Sequence, residues 1–293
     1  MLSPRTNLSK SRRIFRFIKE KFEKYRIKLN MNIIKNVDAL KEIQKLDDES
    51  IDLIVVDPPY GLGKDYGNDS DKMPEKDFLE WNEKWLLSII PKLKKSGSLY
   101  IFTTWRYSPE IFVFLKKHMI MLNEIIWDRR VPSMGGSTRR FSSVHDTIGF
   151  FAKTSKHYFD LDSIRIPYDA ETKKARSRSI FVGKKWLELG YNPKDLWSVS
   201  RLHRIHAQRE NHPTQKPVEI IERMIKASCP PNGIVLDPFA GSGTTVEACI
   251  NTNRQYIAYE INKDYYQIIK DREKRCMKKP TNLDLFKSLK LNI

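Results

Sequence analysis

Residues 51–60 read IDLIVVDPPY, and they decide both the fold and the position of a candidate site. The run IDLIVV is short, largely apolar and rich in β-branched residues, which is typical of a parallel strand buried on both faces. The strand leads directly into Asp57, Pro58, Pro59 and Tyr60. Because ligands of open α/β sheets bind beyond the carboxyl ends of the strands, these four residues stand where chemistry is expected.

Strand-like and helix-like segments alternate on both sides of this strand. Further strands are expected at 31–36, 98–104, 123–127, 233–237 and 255–260. Helices are expected at 37–46, 77–95, 108–118 and 216–228, after the Gly-rich turn as far as about 251, and from 262 onward. Such alternation predicts an α/β protein with a Rossmann-like, doubly wound sheet. The length of 293 residues allows one large domain with an insertion, or two domains.

Positive charge is concentrated in two segments. The chain carries 53 Lys and Arg against 36 Asp and Glu, a net charge of +17. Residues 1–30 hold ten basic and two acidic side chains, and residues 129–211 hold seventeen and eight. This concentration indicates a polyanion as partner, although an anionic membrane surface is an alternative.

Several classes of protein are excluded by composition. No run of about 18 apolar residues exists, and no apolar segment follows the basic N-terminus, so we expect a cytoplasmic protein without a membrane span or secretory signal. Cys229, Cys249 and Cys276 form no CxxC or Cys/His cluster. They predict buried thiols rather than a disulfide framework or a zinc site, and no metal is expected.

The two basic segments differ in pattern. Residues 11–29 have the period of a basic amphipathic helix, which suits a nucleic-acid arm, a membrane-surface helix, or a solvated extension that begins at an upstream start codon. Residues 129–211 lose the alternation and combine Arg pairs with scattered aromatic residues. Within them, 145–153 and 156–168 resemble two strands, so part of this segment should belong to the sheet.

The DPPY motif suits a planar group that bears an NH2. Its two prolines fix φ and remove two backbone donors, which leaves carbonyl oxygens free to accept hydrogen bonds. The ring of such a group would stack on Tyr60, while Asp57 and the Pro58 carbonyl accept its two hydrogens. A Pro-rich turn at a strand end is the plainer alternative.

A second motif, DPFAGSGTT at 237–245, again follows a predicted strand. It lacks the Lys of a P-loop and the spacing of GxGxxG. Its glycines allow close backbone approach, and the amides that open the next helix can hold an anion such as a carboxylate. Glu260 ends the following strand, where an acidic residue in dinucleotide folds binds ribose hydroxyls. The pattern indicates a nucleoside ligand with a small carboxylate and no required phosphate, or else a structural βαβ turn.

A third motif, HPTQKP at 212–217, leads into a predicted helix with Thr214 as its N-cap. In sequence and order, DPPY, HPTQKP and DPFAGSGTT together resemble the S-adenosylmethionine-dependent DNA amino-methyltransferases, which make N6-methyladenine or N4-methylcytosine. The catalytic motif precedes the cofactor motif, as in the circularly permuted β group of bacterial restriction–modification systems. The resemblance covers residues 31 to about 276 and is most similar to the MboII-like branch. It implies a mixed sheet of the class I methyltransferase fold.

The resemblance also implies roles for residues. Asp57, Pro58, Pro59 and Tyr60 would be catalytic. The cofactor S-adenosylmethionine would contact Asp38, Ala39, Asp57, His212, Thr214, Gln215, Lys216, Asp237, Phe239, Gly241, Ser242, Gly243, Thr244 and Glu260. Among these, Glu260 would hold the ribose hydroxyls and Lys216 the methionine carboxylate.

By the same resemblance, the target amine attacks the methyl group directly, with the base flipped out of double-stranded DNA. The absence of a Pro-Cys strand end disfavours methylation at cytosine C5, which needs a thiolate. Asp as the first residue of the motif favours adenine N6 over cytosine N4. A non-catalytic DNA-binding subunit is the alternative from another class.

The expected organisation has five parts: an extension at 1–30, a catalytic half at 31–128, a target-recognition region at 129–211, a cofactor-binding half at 212–278 and a tail at 279–293. Within the recognition region, Arg129, Arg130, Arg139 and Arg140 are the expected DNA contacts. The loop 61–73 would close over the flipped base. A cognate restriction endonuclease and a homodimer are further expectations.

Overall fold

The computed structural model describes residues 32–61, 73–131, 138–139, 141–177, 184–203 and 206–278. The extension at 1–30, nearly all of the loop 61–73, Arg140 and the tail therefore lie outside the described residues. Among the described helices, none has the length and apolar character needed to cross a membrane.

Eight strands form one mixed sheet. They are β1 (Ile33–Asn36), β2 (Ile51–Val56), β3 (Leu93–Thr103), β4 (Ile120–Asp128), β5 (His145–Ala152), β6 (Leu196–Ser198), β7 (Ile234–Asp237) and β8 (Gln255–Glu260). Their order across the sheet is β1-β8-β7-β2-β3-β5-β4-β6. All neighbours pair in parallel except β5, which is antiparallel to both β3 and β4.

This topology brings distant motifs to one edge. Because β2, β7 and β8 are parallel neighbours, Asp57, Asp237 and Glu260 all lie at the carboxyl edge of the sheet. Strand β4 runs in the same direction as β3, so the segments that follow β4 and β6 also begin at that edge. Strand β5 runs the other way, and Ala152 ends it at the opposite edge.

Helices cover both faces of the sheet. They are α1 (Ala39–Ile43), α2 (Glu75–Ile89), α3 (Ser108–Leu115), α4 (Ala170–Arg176), α5 (Lys184–Leu189), α6 (Val218–Ser228), α7 (Thr244–Thr252) and α8 (Lys263–Lys278). Alternate residues of β2 enter two cores: Ile54 and Val56 pack with α1, α2 and α3, while Leu53 and Val55 pack with α6, α7 and α8. The predicted Rossmann-like, doubly wound α/β sheet is confirmed, and β5 and β6 show that part of 129–211 belongs to it.

Three local predictions were wrong. The helix expected over 77–95 ends at Ile89, because Pro91 interrupts it, and strand β3 already begins at Leu93. Residues 156–168 form no strand. The carboxylate of Asp160 instead accepts a hydrogen bond from the Ser163 amide and bends the chain.

The third wrong prediction concerns the start of α6. Its N-cap is Pro217 rather than Thr214, because the helix begins only at Val218. The three cysteines are buried free thiols, as expected from their spacing.

Candidate active site

A cleft of about 760 Å³, counted with its open mouth, lies at the carboxyl edge of β2, β7 and β8. It is lined by Val55, Asp57, Pro58, Pro59, Phe102, His212, Thr214, Gln215, Lys216, Ile221, Asp237, Phe239, Ala240, Gly241, Ser242, Thr244, Thr245, Glu260, Ile261 and Tyr265. The three sequence motifs therefore share one cavity.

The carboxylate of Asp57 is held by two side chains. The Tyr60 hydroxyl donates to Oδ1 at 2.6 Å, and the buried Lys216 ammonium donates to Oδ2 at 2.6 Å. The Lys216 Nζ also lies 5.1 Å from the ring centres of Tyr60 and Phe102, a distance at which a cation is attracted to an aromatic face. Asp57 is thus held in place by two donors, and its side chain is 23% exposed toward the cleft.

The turn that follows β7 depends on two glycines. Gly241 has φ of +49°, and a Cβ atom there would lie 2.9 Å from Nε2 of His212. Gly243 has φ of +76° and caps α7, and its Cβ would lie 3.1 Å from Ile269. Any side chain at either position would strain the backbone, so the close approach of the turn to its neighbours requires glycine.

Most of the turn's amides already have acceptors inside the protein. The amides of Phe239, Ala240, Gly241 and Gly243 donate to Asp237, Tyr259, Glu260 and Ala240 respectively. These four amides are therefore engaged within the protein, and they do not include the amides of Thr244, Thr245 and Val246, which open α7 and were the expected anion site. Among the residues that line the cleft, Lys216 also offers a positive charge.

Two buried carboxyls, those of Asp237 and Glu260, accept hydrogen bonds from amides of the turn. Burial raises the pKa of Asp237 to about 7, although the Thr245 hydroxyl and the Phe239 amide donate hydrogen bonds to its carboxyl. Burial also raises the pKa of Glu260, whose oxygens accept from the Gly241 and Asn262 amides at 2.8 Å. Each oxygen of Glu260 keeps a second acceptor position, as binding to hydroxyl groups requires.

The HPTQKP segment is fixed by its own hydrogen bonds. The Gln215 side chain accepts from the Glu210 amide and donates to the Gln208 carbonyl. The ring of His212 packs edge-on against Tyr265 of α8 at 4.5 Å between centres. The segment therefore presents Lys216 to Asp57 from a loop that is held by side-chain contacts.

Some expected site residues do not line the cleft. Tyr60 is buried and contacts Asp57, and Gly243 packs against Ile269. Asp38 caps α1 through the Leu40 amide, next to the buried Ala39. Because the Val37 amide donates to the Glu260 carbonyl, Asp38 and Ala39 still lie at the same edge of the sheet.

The expected DNA-binding arginines have different environments. Arg129 is mostly buried, and its Nη1 lies 3.5 Å from the Asp146 carboxylate. Arg130 is exposed, has φ of +59° and donates to Ser198, which fixes its position at the carboxyl edge. Arg139 is exposed, and Arg140 lies outside the described residues.

Phe102, Ile261 and Tyr265 line the cleft but were missed in the sequence. Phe102 lies near the carboxyl end of β3, the neighbour of β2, so strand position could have indicated it. Ile261 is 56% exposed, and its position directly after the predicted site residue Glu260 could have indicated it. No local pattern marks Tyr265, because its role follows from how α8 packs.

The donor set fits a nucleoside with a short charged tail. Acceptors lie at Glu260, a cation at Lys216, and apolar side chains at Phe239 and Ile261. Together, the fold and the cleft define a Rossmann-like protein that holds a small ligand beside an oriented carboxylate.

The chain belongs to the N6/N4 family of DNA methylases, whose family model matches residues 51–271. It is a DNA methyltransferase, and the family resemblance drawn from its motifs is confirmed.

Several curated proteins are similar over most of this chain. A type II methyltransferase of Haemophilus parainfluenzae, M.HpaI, is 38% identical over 80% of this chain and 72% of its own length. M1.MboII of Moraxella bovis is 36% identical over 81% of this chain and 94% of its own. The DNA adenine methyltransferase YhdJ of Escherichia coli is 34% identical over 79% of each chain.

Solved structures agree on the fold. The M1.HpyAVI–SAM complex has a TM-score of 0.55 and 27% identity, covering 82% of this chain and 98% of that one. The cytosine-N4-specific PvuII methyltransferase has a TM-score of 0.63 and 19% identity, covering 83% and 89%. The fold is therefore the class I methyltransferase fold, and the DPPY motif precedes the DPFAGSGTT motif in the chain.

Proposed function

We propose that this enzyme transfers a methyl group from S-adenosylmethionine to the exocyclic N6 of adenine in double-stranded DNA, at a specific site. The carrying observation is that Asp57, oriented by Lys216 and Tyr60, opens onto the same cleft as Glu260 and the Gly-rich turn. Such a transfer requires one cavity that holds both a nucleoside cofactor and a group that accepts hydrogen bonds from the target amine. The similarity to a DNA adenine methyltransferase supports the choice of base.

The cofactor is assigned to the half of the cleft formed by β7, β8 and the 212–217 segment. Glu260 would accept from the ribose hydroxyls, Phe239 and Ile261 would cover the adenine, and Lys216 would neutralise the methionine carboxylate. When bound, S-adenosylmethionine supplies an electrophilic methyl group on a sulfonium. The similar M1.HpyAVI was solved as a complex with SAM, which supports this assignment.

The target amine is assigned to Asp57 and the Pro58 carbonyl. An exocyclic NH2 is a poor nucleophile, because its lone pair is delocalised into the ring. Hydrogen bonds from its two hydrogens to Asp57 and Pro58 draw the nitrogen toward a tetrahedral shape and expose the lone pair. The fixed position of Asp57 then holds the amine at attacking distance, which accounts for much of the acceleration in favourable cases, on the order of 7–11 kcal/mol.

Duplex DNA must release the base before this can occur, at a cost of a few kcal/mol. The segments that follow β4 and β6 begin at the edge where the cleft opens, so both can meet the duplex. We assign DNA contacts to the exposed Arg130 and Arg139 and to Arg140. Arg129, which forms an ion pair with Asp146, is assigned a structural role in this region instead. Relatives named type II methyltransferases support a partner endonuclease that cuts the unmethylated site.

The chemical identity of the product tests the proposal. Plasmid DNA methylated by the purified chain is digested to nucleosides and separated by chromatography with mass detection. N6-methyladenine is the expected product. N4-methylcytosine alone would overturn the choice of base, and cofactor binding without any methylated nucleoside would favour a non-catalytic DNA-binding subunit.

A further inference from the structure

One buried cation of the molecule lies outside the cleft but contacts the residues that form it. Arg272, on helix α8, is 2% exposed. Its Nε donates to Glu247 of α7 at 2.6 Å, and its Nη1 donates to the Ser242 carbonyl at 2.9 Å. The guanidinium therefore joins α7, α8 and the Gly-rich turn.

Nη1 of Arg272 is also connected to the 212–217 segment, through the hydroxyl of Thr244. Nη1 of Arg272 lies 3.3 Å from the Thr244 hydroxyl, and that hydroxyl donates to the Lys216 carbonyl at 3.3 Å. Ser242, Thr244 and Lys216 all line the cleft. A single guanidinium is thus connected by hydrogen bonds to both segments assigned to the cofactor.

Helix α8 supports these contacts along one face. Tyr265, Ile269 and Arg272 are spaced by four and three residues, which places them on the same side of a helix. Tyr265 packs on His212, Ile269 lies where a side chain at Gly243 would stand, and Arg272 binds Ser242. The helix therefore fixes three successive points around the cleft.

Core packing alone does not account for an arginine here. Nη2 of Arg272 is buried and has no hydrogen-bond partner among the described residues, and an unsatisfied buried donor is destabilising. A buried ion pair can be replaced by apolar side chains of similar volume with little loss of stability, or with a gain. The hydrogen bonds to the turn are what such a replacement would remove.

We infer that Arg272 is a positioning residue for the cofactor site: it fixes the Gly-rich turn and, through Thr244, the Lys216 segment in the shape that binds the cofactor. It does not touch the reacting atoms. This inference rests on the proposed function. The substitution Arg272→Lys keeps the charge near Glu247 but loses the forked geometry that reaches the turn.

The test measures binding of S-adenosylhomocysteine by calorimetry together with steady-state kinetics. Arg272→Lys should bind about 10-fold more weakly, as expected for a lost hydrogen bond to a charged group. Its KM for S-adenosylmethionine should rise by a similar factor, while kcat at saturating cofactor should change less than about 3-fold because the turn reaches its bound shape at saturation. Lys274→Met, an exposed cation on the same helix, is the control and should behave as wild type.

A paired apolar variant separates positioning from folding. Arg272→Met with Glu247→Met should keep the thermal unfolding midpoint near that of wild type, yet lose cofactor affinity as Arg272→Lys does. Wild-type affinity in a folded variant of either kind would overturn the inference, and so would unfolding of Arg272→Lys itself, since Arg272 would then serve the whole fold. If the wild-type chain binds no S-adenosylhomocysteine, the proposed function fails before this inference is reached.

Discussion

At the scale of single residues, the centre of the site is a carboxylate with both oxygens engaged. The sequence indicated Asp57 and Lys216 separately, through two motifs 159 positions apart. It could not show that they form an ion pair, because the pairing depends on how α6 and β2 pack. The structure shows this ion pair, and we propose that Lys216 orients Asp57 in addition to its proposed contact with the cofactor.

Lys216→Met should reduce methyl transfer on the order of 100-fold, the loss that misplacement of a reacting group by about 1 Å can cause. The ammonium that fixes Oδ2 of Asp57 would be absent, while an unbranched apolar side chain of similar length would remain. Single-turnover methylation at saturating cofactor measures this. Lys226→Met, a partly exposed lysine paired with Glu222, is the matched control. An unchanged rate in Lys216→Met would remove Lys216 from the orientation of Asp57.

Asp237 should make stability depend on pH. Burial raises the pKa of its carboxyl from 3.8 to about 7, with smaller contributions from the carboxylates of Asp57 and Glu260. Since the folded state holds this proton more tightly than the unfolded chain, its contribution to stability is full below about pH 4 and is lost as the pH rises toward 7.

The comparison of wild type with Asp237→Asn isolates that effect. Between pH 5 and 7, the thermal unfolding midpoint of wild type should fall relative to that of the variant, and above this range the difference should level off. The fall should be roughly 2–4 °C for each kcal/mol of stability lost. Parallel curves for the two proteins over this range would show that Asp237 is already ionised in the fold.

At the scale of elements, strands were predictable where their pattern is local. The apolar runs of β2, β7 and β8 gave correct positions, because strands buried on both faces need continuous apolar sequence. Strand β6 was missed, since its three residues pair with β4 about 70 positions away and carry no pattern of their own. The Asp160 turn shows the opposite case, in which a side-chain hydrogen bond overrides an apparent strand.

Among the elements of the site, the Gly-rich turn gives the sharpest prediction. Gly241→Ala should weaken cofactor binding, because the new methyl group would push on His212 and the backbone would be strained at φ of +49°. Calorimetry with S-adenosylhomocysteine measures the affinity.

Gly190→Ala provides the matched control. Gly190 also has a positive φ, of +87°, and its Cβ would meet the Ile166 backbone at 2.5 Å, so it should destabilise the fold without lining the cleft. Equal losses of cofactor affinity in the two variants would mean that strain anywhere in the fold, rather than at the turn, weakens binding.

At the scale of the whole molecule, charge divides the chain into a body and two basic segments. The net charge of +17 belongs to residues 1–30 and 129–211, while the segments that build the cleft are close to neutral together. A small ligand needs no excess charge, whereas contact with DNA phosphates does. Composition thus indicated the class of partner, and only the motifs indicated the reaction.

Deletion of residues 1–30 tests how the charge is used. If these residues act as an arm on DNA, the truncated chain should bind duplex DNA more weakly, with a flatter dependence of log affinity on log salt, because fewer counterions are released. Fluorescence anisotropy across a salt series measures both quantities. An unchanged slope would assign the salt dependence to the 129–211 segment and the remaining surface.

The central claim is that the Asp57 carboxylate holds the amine that receives the methyl group. Transfer of labelled methyl from S-adenosylmethionine to duplex DNA, by wild type and by Asp57→Ala, tests it most directly when unfolding and S-adenosylhomocysteine binding are measured on the same samples. We predict labelled DNA with wild type and a loss of at least about 100-fold in a folded, cofactor-binding Asp57→Ala protein, as for the removal of one transition-state contact. Methylation by that variant at the wild-type rate would contradict the account.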